Sequence, residues 1–133
     1  MVRGYAYEWR EHREMISESL APMLAFGETV SLADYRAAGA LAEAARAHVA
    51  GVFENFDVLL TASQPGEAPR GLGSTGNPVF NRLWTLLHLP CVTLPFAKGP
   101  NGLPVGVQLI APRNADASLI AVATWAEAIL AGG

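Results

Sequence analysis

Two prolines, Pro90 and Pro95, enclose the uncharged segment Cys-Val-Thr-Leu, which constrains the fold more than any other part of the chain. Proline is tolerated at strand ends because it forfeits no ladder hydrogen bond there, and β-branched residues favour strands. A turn rich in glycine and proline, residues 98–102, then leads to a second apolar run, residues 105–110. This pattern predicts an antiparallel hairpin of two core strands.

Gly106 lies in the middle of the second strand, where a side chain would normally help packing. A glycine at such a position indicates a bulge or another backbone lying close. A merely weak strand accounts for it equally well, so the sequence leaves both interpretations open.

The first third of the chain is predicted to be helical. Residues 7–20 carry an apolar stripe at helical spacing, and Pro22 closes or restarts this helix before Gly27 ends it. Ser31, with Asp34 three residues later, is typical of a helix N-cap. A long amphipathic helix should follow, because apolar residues keep 3/4 spacing from Leu32 to residue 53.

The remainder alternates strands and helices. Residues 56–61 predict a buried strand, residues 62–76 a long loop, and residues 77–87 a helix that leads into the proline-bounded strand. A strand, helix, strand order predicts a right-handed parallel βαβ crossover. The last helix should follow Asn114 and stop at Gly132.

These elements define an α/β fold class with about three strands in a mixed sheet, one βαβ crossover plus the hairpin, and helices on both faces. We expect one domain, helical over residues 7–54 and α/β over residues 56–131. Hydrophobic residues make up 51% of the chain and charged residues only 16%, below the usual quarter. The chain is therefore expected either to associate with itself or to be part of a larger protein that covers an apolar face.

Several function classes are disfavoured by charge and cysteine content. The net charge is −3 and the nine basic residues are scattered, so a nucleic-acid-binding footprint is missing. The one cysteine, Cys91, is predicted to be an inert buried thiol, and it has no internal disulfide partner. No apolar run approaches the ~18 residues of a membrane span, so we expect a cytoplasmic protein.

The motifs Leu-Pro-Cys-Val-Thr-Leu-Pro (residues 89–95) and Gly-Leu-Pro-Val-Gly-Val-Gln-Leu-Ile (residues 102–110) resemble the C-terminal third of the amidase signature family. The resemblance covers most of the chain and is strongest from Asp57 onward. The family usually has glycine at the position of His88 and often at Ala111, and neither departure touches the chemistry.

The resemblance implies the fold described above and amide hydrolysis as the activity of the whole enzyme. In the family, a nucleophilic serine, a cis-bonded serine and a lysine lie in earlier segments that this chain lacks, so no catalytic residue is carried over. The resemblance also implies that the loop after the first strand and the helix that follows it form a wall of the substrate cleft. Five residues become candidates for substrate binding: Gln64, Thr75, Asn81, Trp84 and Thr85.

Independent catalytic or metal sites are not supported by spacing. Ser74 lacks the first glycine of a nucleophile elbow, and Lys98 is a turn residue. The Gly-x-Gly-x-x-Gly match at residues 71–76 is too far from a strand and has no acidic partner about 20 residues later. The three histidines and Cys91 show no metal-ligand spacing. No cofactor or metal is therefore expected.

The sequence supports two functions from different classes. The first is the C-terminal part of an amidase-signature amide hydrolase, inactive alone, whose partner would be the missing N-terminal portion and whose substrate in the complete enzyme would be a small amide. The second is a non-catalytic oligomerising or ligand-binding α/β module derived from such an enzyme. A split enzyme, with the serines on another subunit, is a variant of the first.

Overall fold

The fold is described from a computed structural model that defines residues 2–131. The predicted helix stop at Gly132 lies outside these residues. The backbone forms two compact units, Met1–Leu41 and Ala42–Gly133, and the boundary falls inside one long helix. The expectation of a single domain stays a prediction.

The first unit contains short helices rather than the single helix predicted over residues 7–20. Helix α1 (Ala6–Glu11) ends at His12, which has φ −137° and ψ 42°, and a 3₁₀ turn (Arg13–Met15) follows. Trp9 is the one buried residue of these two elements. So sparse an apolar stripe does not provide enough tertiary packing to stabilise a longer helix.

Helix α2 (Ala21–Thr29) begins with Pro22 in its first turn, where the fixed φ of proline suits a helix start. Gly27 lies inside α2 and does not end it, contrary to the prediction. A Cβ added to Gly27 would lie 3.0 Å from the Cβ of Val2. The glycine therefore makes room for a neighbouring side chain.

Helix α3 (Leu32–Val52) begins as its sequence predicts. The Asp34 N–H donates to Ser31 Oγ at 3.1 Å, and the Ser31 hydroxyl donates to Asp34 Oδ2 at 2.6 Å. The serine satisfies one of the unpaired amides of the first turn, which is the function of an N-cap.

The sheet of the second unit has three strands, β1 (Leu59–Ala62), β2 (Cys91–Lys98) and β3 (Pro104–Ile110), in the order β1-β3-β2. The predicted β2–β3 hairpin is confirmed. Strand β3 also pairs antiparallel with β1, so β1 and β2 run in the same direction but are not neighbours. The prediction of a mixed sheet is therefore wrong, since both pairs of adjacent strands are antiparallel. The reason is that β3, the most buried strand, lies between β1 and β2.

Strand β2 continues past Pro95, where the sequence predicted its end, and reaches Lys98 through an irregularity between Pro95 and Ala97. An edge strand tolerates proline because half of its amides face away from the sheet. Cys91 is exposed on this edge, not buried as predicted. Partial burial of its sulfur nevertheless raises the pKa of the Cys91 thiol, which disfavours the reactive thiolate.

One face of the sheet packs against helix α5 (Asp116–Ala131). Leu94 and Leu109 of the sheet form a buried cluster with Leu119 and Ala123 of the helix. The side chain of Gln108 points to the opposite face, because neighbouring residues of a strand alternate.

The helix predicted over residues 77–87 consists of two pieces, a 3₁₀ turn (Pro78–Phe80) and helix α4 (Arg82–Leu87). Asn77 caps the 3₁₀ turn, since its side chain accepts the Val79 N–H at 3.1 Å. Gln108 donates to the carbonyl of Phe80, which places this segment over the second face of the sheet. Helical segments on both faces are therefore confirmed.

His88 ends α4 with φ 59°, a left-handed conformation in which glycine is the usual residue. Arg46 of α3 reaches this helix end: its Nη2 donates to Leu86 O at 2.6 Å and lies 3.4 Å from His88 Nε2. A cation beside the last carbonyls of a helix is favourable. This contact offsets part of the strain that the departure from glycine introduces.

Candidate functional site

The long loop after β1 stays attached to β3. The Ser63 N–H donates to Gly106 O at 3.1 Å, and Ser63 Oγ donates to the same carbonyl at 2.9 Å. Further along, the Ala68 N–H donates to Pro104 O at 2.9 Å. Residues 64–67 span the gap between these two attachments, and we call them the arch.

Gly106 provides the space that this attachment needs. A Cβ at Gly106 would lie 2.6 Å from Ser63 Oγ and 2.7 Å from Thr93 Cγ2. Side chains therefore approach this glycine closely, and not the backbone that the sequence led us to expect: the nearest backbone atom, Leu94 O, would lie 3.5 Å from the added Cβ. The strand irregularity lies on β2, opposite, and not at Gly106 itself.

Gln108 joins the start of the loop to the segment before α4. It is 1% exposed, and its Nε2 donates to Ala62 O at 3.1 Å and to Phe80 O at 2.8 Å. Gln108 is not among the site residues predicted from the sequence. The available signal was a single amide side chain in an otherwise apolar strand, since a buried polar group requires partners.

Asn81 makes a second connection between the same segments. Its Nδ2 donates to Ser63 O at 3.0 Å, and Thr85 Oγ1 donates to Asn81 O at 3.2 Å. Two of the five predicted site residues are therefore linked to each other and to the beginning of the loop. Both are exposed in the described chain.

Gln64 lies against the far end of the loop. Its Oε1 occupies the space that a Cβ on Gly76 would need, and Gly76 has φ +93°. Thr75 precedes Gly76 in the chain, so the backbone around Thr75 returns to the side of Gln64. Gln64 and Thr75 are therefore close to each other, because Gln64 contacts Gly76, the residue after Thr75.

Trp84 is only partly buried, and its indole Nε1 is buried without a hydrogen-bond partner. Most buried polar groups in proteins are hydrogen-bonded, and Trp84 Nε1 is, with Arg46 Nε, an exception among the described residues. Among the hydrogen bonds of residues 2–131, none links the Trp84 side chain to the other four candidates. The prediction that Trp84 contacts substrate stays a prediction, as it does for the other four.

The serines near this region are structural. Ser63 Oγ donates to a backbone carbonyl, and Ser74 Oγ accepts the Gly76 N–H at 3.1 Å. Within the described chain, no serine or threonine hydroxyl is hydrogen-bonded to a lysine or a histidine. An activated nucleophile needs such a base.

The described residues were also compared with the requirements of a metal site and of a membrane-spanning helix. Residues 2–131 contain no group of three or more histidine, cysteine or carboxylate side chains that could hold a metal ion. Over the same residues, none of the helices combines the length and the apolar character needed to cross a bilayer.

Comparison with known proteins establishes the family. The model described as Amidase matches residues 8–120, which is most of the chain. The chain therefore belongs to the amidase family, and the resemblance of its strand motifs to the C-terminal third of the amidase signature family is confirmed.

The relatives are longer proteins. The putative amidase AmiA2 of Mycobacterium tuberculosis is 29% identical over 138 aligned residues, which cover 92% of this chain and 28% of that protein. The 2-amino-5-chloromuconic acid deaminase of Comamonas testosteroni is 31% identical over 81% of this chain and 26% of its own length. The chain thus spans less than a third of these relatives.

Solved structures agree with this assignment. An amidase crystal structure superimposes with a TM-score of 0.84 at 31% identity, covering 97% of this chain and 32% of that chain. A bacterial aryl acylamidase of the amidase signature enzymes gives a TM-score of 0.60 at 25% identity, over 86% of this chain and 26% of its own. The predicted α/β fold class, with three strands and helices on both faces, is thereby confirmed, except for the mixed strand pairing.

Proposed function

We propose that this chain forms part of the sheet and one wall of the substrate cleft of an amide hydrolase whose reactive serine is supplied by a segment outside residues 1–133. The observation that carries the proposal is the set of hydrogen bonds around the end of β1. Asn81 and Gln108 fix the loop against the segment before α4. These hydrogen bonds hold the loop and the helical segment in fixed positions, as a wall of a binding cleft requires, and they include no activated nucleophile.

The chemistry of the complete enzyme follows from the family. A serine oxygen would attack the carboxamide carbon and lose its proton to a base, and this proton would pass to the nitrogen as the C–N bond breaks and the amine or ammonia leaves. Water would then hydrolyse the resulting acyl ester and release the acid. The residues of this chain would orient the amide, with Gln64, Thr75, Asn81, Trp84 and Thr85 as the proposed contacts.

The first test uses the purified chain and a panel of simple linear amides. We expect no turnover above the buffer background, because no serine of the described chain is activated. Turnover that follows the chain through successive purification steps would refute the proposal.

The second test places this chain in a hybrid, where it replaces the matching segment of an active amidase. We expect Thr85→Val to raise KM about three- to tenfold with little change in kcat, because a lost neutral hydrogen bond costs roughly 0.5–1.5 kcal/mol. Thr124→Val is the matched control, since Thr124 Oγ1 also donates to the carbonyl four residues earlier, at 2.9 Å. Equal effects of the two substitutions would argue against a cleft position for Thr85.

The alternative is a non-catalytic module that covers its apolar surface with a second copy or another ligand. Helix α5 favours this alternative, since Ile120 is 58% exposed, Trp125 66% and Ile129 55%. Sedimentation of the purified chain distinguishes the two functions. A discrete dimer supports the alternative, whereas solubility that depends on a co-expressed N-terminal amidase portion, as a fragment or as a separate subunit, supports the hydrolase.

We also propose a cytoplasmic location and no nucleic-acid or membrane partner. The support is compositional: a single cysteine without an internal partner fits a reducing compartment, and the basic residues do not cluster. Fractionation of cells that produce the tagged chain tests this location.

A further inference from the structure

The carboxylate of Glu67, at the end of the arch, lies in the turn of the β2–β3 hairpin. It accepts the Asn101 N–H at 3.2 Å through both oxygens and the Leu103 N–H at 3.1 Å. The side-chain amide of Asn101 also donates to Glu67 Oε1. Hydrogen bonds from amides to a carboxylate are stronger than those between neutral groups.

The hairpin turn is shaped to receive this side chain. A Cβ on Gly99 would lie 2.5 Å from Glu67 Oε2 and 2.6 Å from its Cβ, closer than any real contact allows. Gly99 does not have a positive φ, so its backbone would accept alanine. The three atoms nearest to the added Cβ all belong to Glu67.

The same relation occurs at the other end of the arch. Gly106 also has no positive φ, and a Cβ there would collide with Ser63. Each end of the arch therefore has a polar side chain on the loop opposite a glycine on the hairpin. Gln64, one of the five candidate substrate contacts, lies between the two attachments.

We infer that Glu67 is a positioning residue that fixes the arch, and with it Gln64, on the hairpin turn. The part of this inference that concerns substrate rests on the proposed function. The anchoring itself does not, so it can be tested without activity. Glu67 would act through the arch and would not touch the substrate.

Hydrogen exchange followed by mass spectrometry on the full chain measures the anchoring directly. In Glu67→Gln and Glu67→Ala, we expect the hydrogen-bonded amides of Ala68, Asn101 and Leu103 to exchange about tenfold faster or more, while β1, β3 and α5 keep their rates. Glutamine is expected to fail as alanine does, because its NH₂ group would face donors. Glu54→Gln, an exposed carboxylate without a side-chain hydrogen bond among the described residues, is the matched control.

Gly99→Ala is a second way to release the arch from the hairpin turn, and it leaves Glu67 itself unchanged. The added methyl group should expel the Glu67 carboxylate and reproduce the fast exchange, and the double variant with Glu67→Ala should be no worse than either single variant. Gly73→Ala is the control, since it has neither a positive φ nor an atom within 4 Å of the added Cβ. This second route keeps the test valid if a Glu67 variant does not fold.

Unchanged exchange of these three amides would overturn the inference. An equal acceleration throughout α5 would also overturn it, because Glu67 would then hold the whole unit and not the arch. In the active hybrid, Glu67→Gln should raise KM at least fivefold and leave kcat within twofold; an unchanged KM would remove the link to substrate. A hybrid that is inactive without any substitution would count against the proposed function alone, since exchange decides the anchoring separately.

Discussion

The two halves of the loop between β1 and the 3₁₀ turn, residues 63–68 and 69–77, both contain glycine and proline but have different structures. Residues 63–68 are attached to β3 and to the hairpin turn through Ser63, Glu67 and Ala68. In the second half, Leu72 is 104% exposed, and Cβ atoms at Gly71 and Gly73 would meet nothing within 4 Å. The comparison shows that partners in another segment, and not glycine or proline content, decide which part of a loop is ordered by tertiary contacts.

The largest effect is expected from Gly106→Ala, because Gly106 lies against Ser63, the first residue that attaches the loop to β3. The new methyl group would overlap Ser63 Oγ and Thr93 Cγ2, so the free energy of unfolding should fall by about 2–3 kcal/mol. Urea denaturation measures this loss. Combining it with Ser63→Gly should recover part of the stability, and a stability equal to that of the unsubstituted chain would show that the close approach is absent in solution.

A smaller effect is expected from Gln108→Met, which keeps the volume of the side chain but removes both hydrogen bonds to Ala62 O and Phe80 O. Leaving buried carbonyls without this donor should cost about 1–2 kcal/mol. Thermal and urea unfolding measure it, with Thr61→Val, a substitution on the same face of the sheet, as control. A loss no greater than that of the control would mean that Gln108 does not hold the start of the loop.

The smallest effect is expected in the unattached half. Leu72→Ser should change the free energy of unfolding by no more than about 0.5 kcal/mol, because the side chain is fully exposed. The same unfolding measurement applies. A loss above 1 kcal/mol would show that Leu72 is covered in solution and would remove the contrast between the two halves.

Much of the fold could be predicted from local patterns. The hairpin, the N-cap at Ser31, the last helix and the family motifs each depend on residues close in sequence, and the structure contains them all. Strand order could not be predicted, because β1 pairs with β3 across nearly fifty residues and no local pattern encodes that pairing. The end of β2 was misjudged for the same reason, since only the pairing makes it an edge strand that tolerates Pro95.

The candidate site shows the same division. The family resemblance directed attention to the loop and to α4, and the structure links Asn81 with Thr85 and brings Gln64 beside Gly76. It did not reveal Gln108 or Glu67, the two side chains that connect segments about 30 residues or more apart. A carboxylate in a glycine-rich loop gives no sign of its acceptor role until the turn that surrounds it is known.

The sequence by itself determined the family, the hairpin and the helix starts, because each depends on hydrogen bonds and side-chain volumes within a few neighbouring residues. Only the tertiary structure decided that β3 is the central strand, that Cys91 lies on an exposed edge, and that Gly99 and Gly106 face Glu67 and Ser63. These features depend on close packing between distant segments. A glycine can be required for its backbone conformation or for the space that its missing side chain leaves. The atoms that face the glycine decide between these roles, and those atoms come from distant parts of the chain.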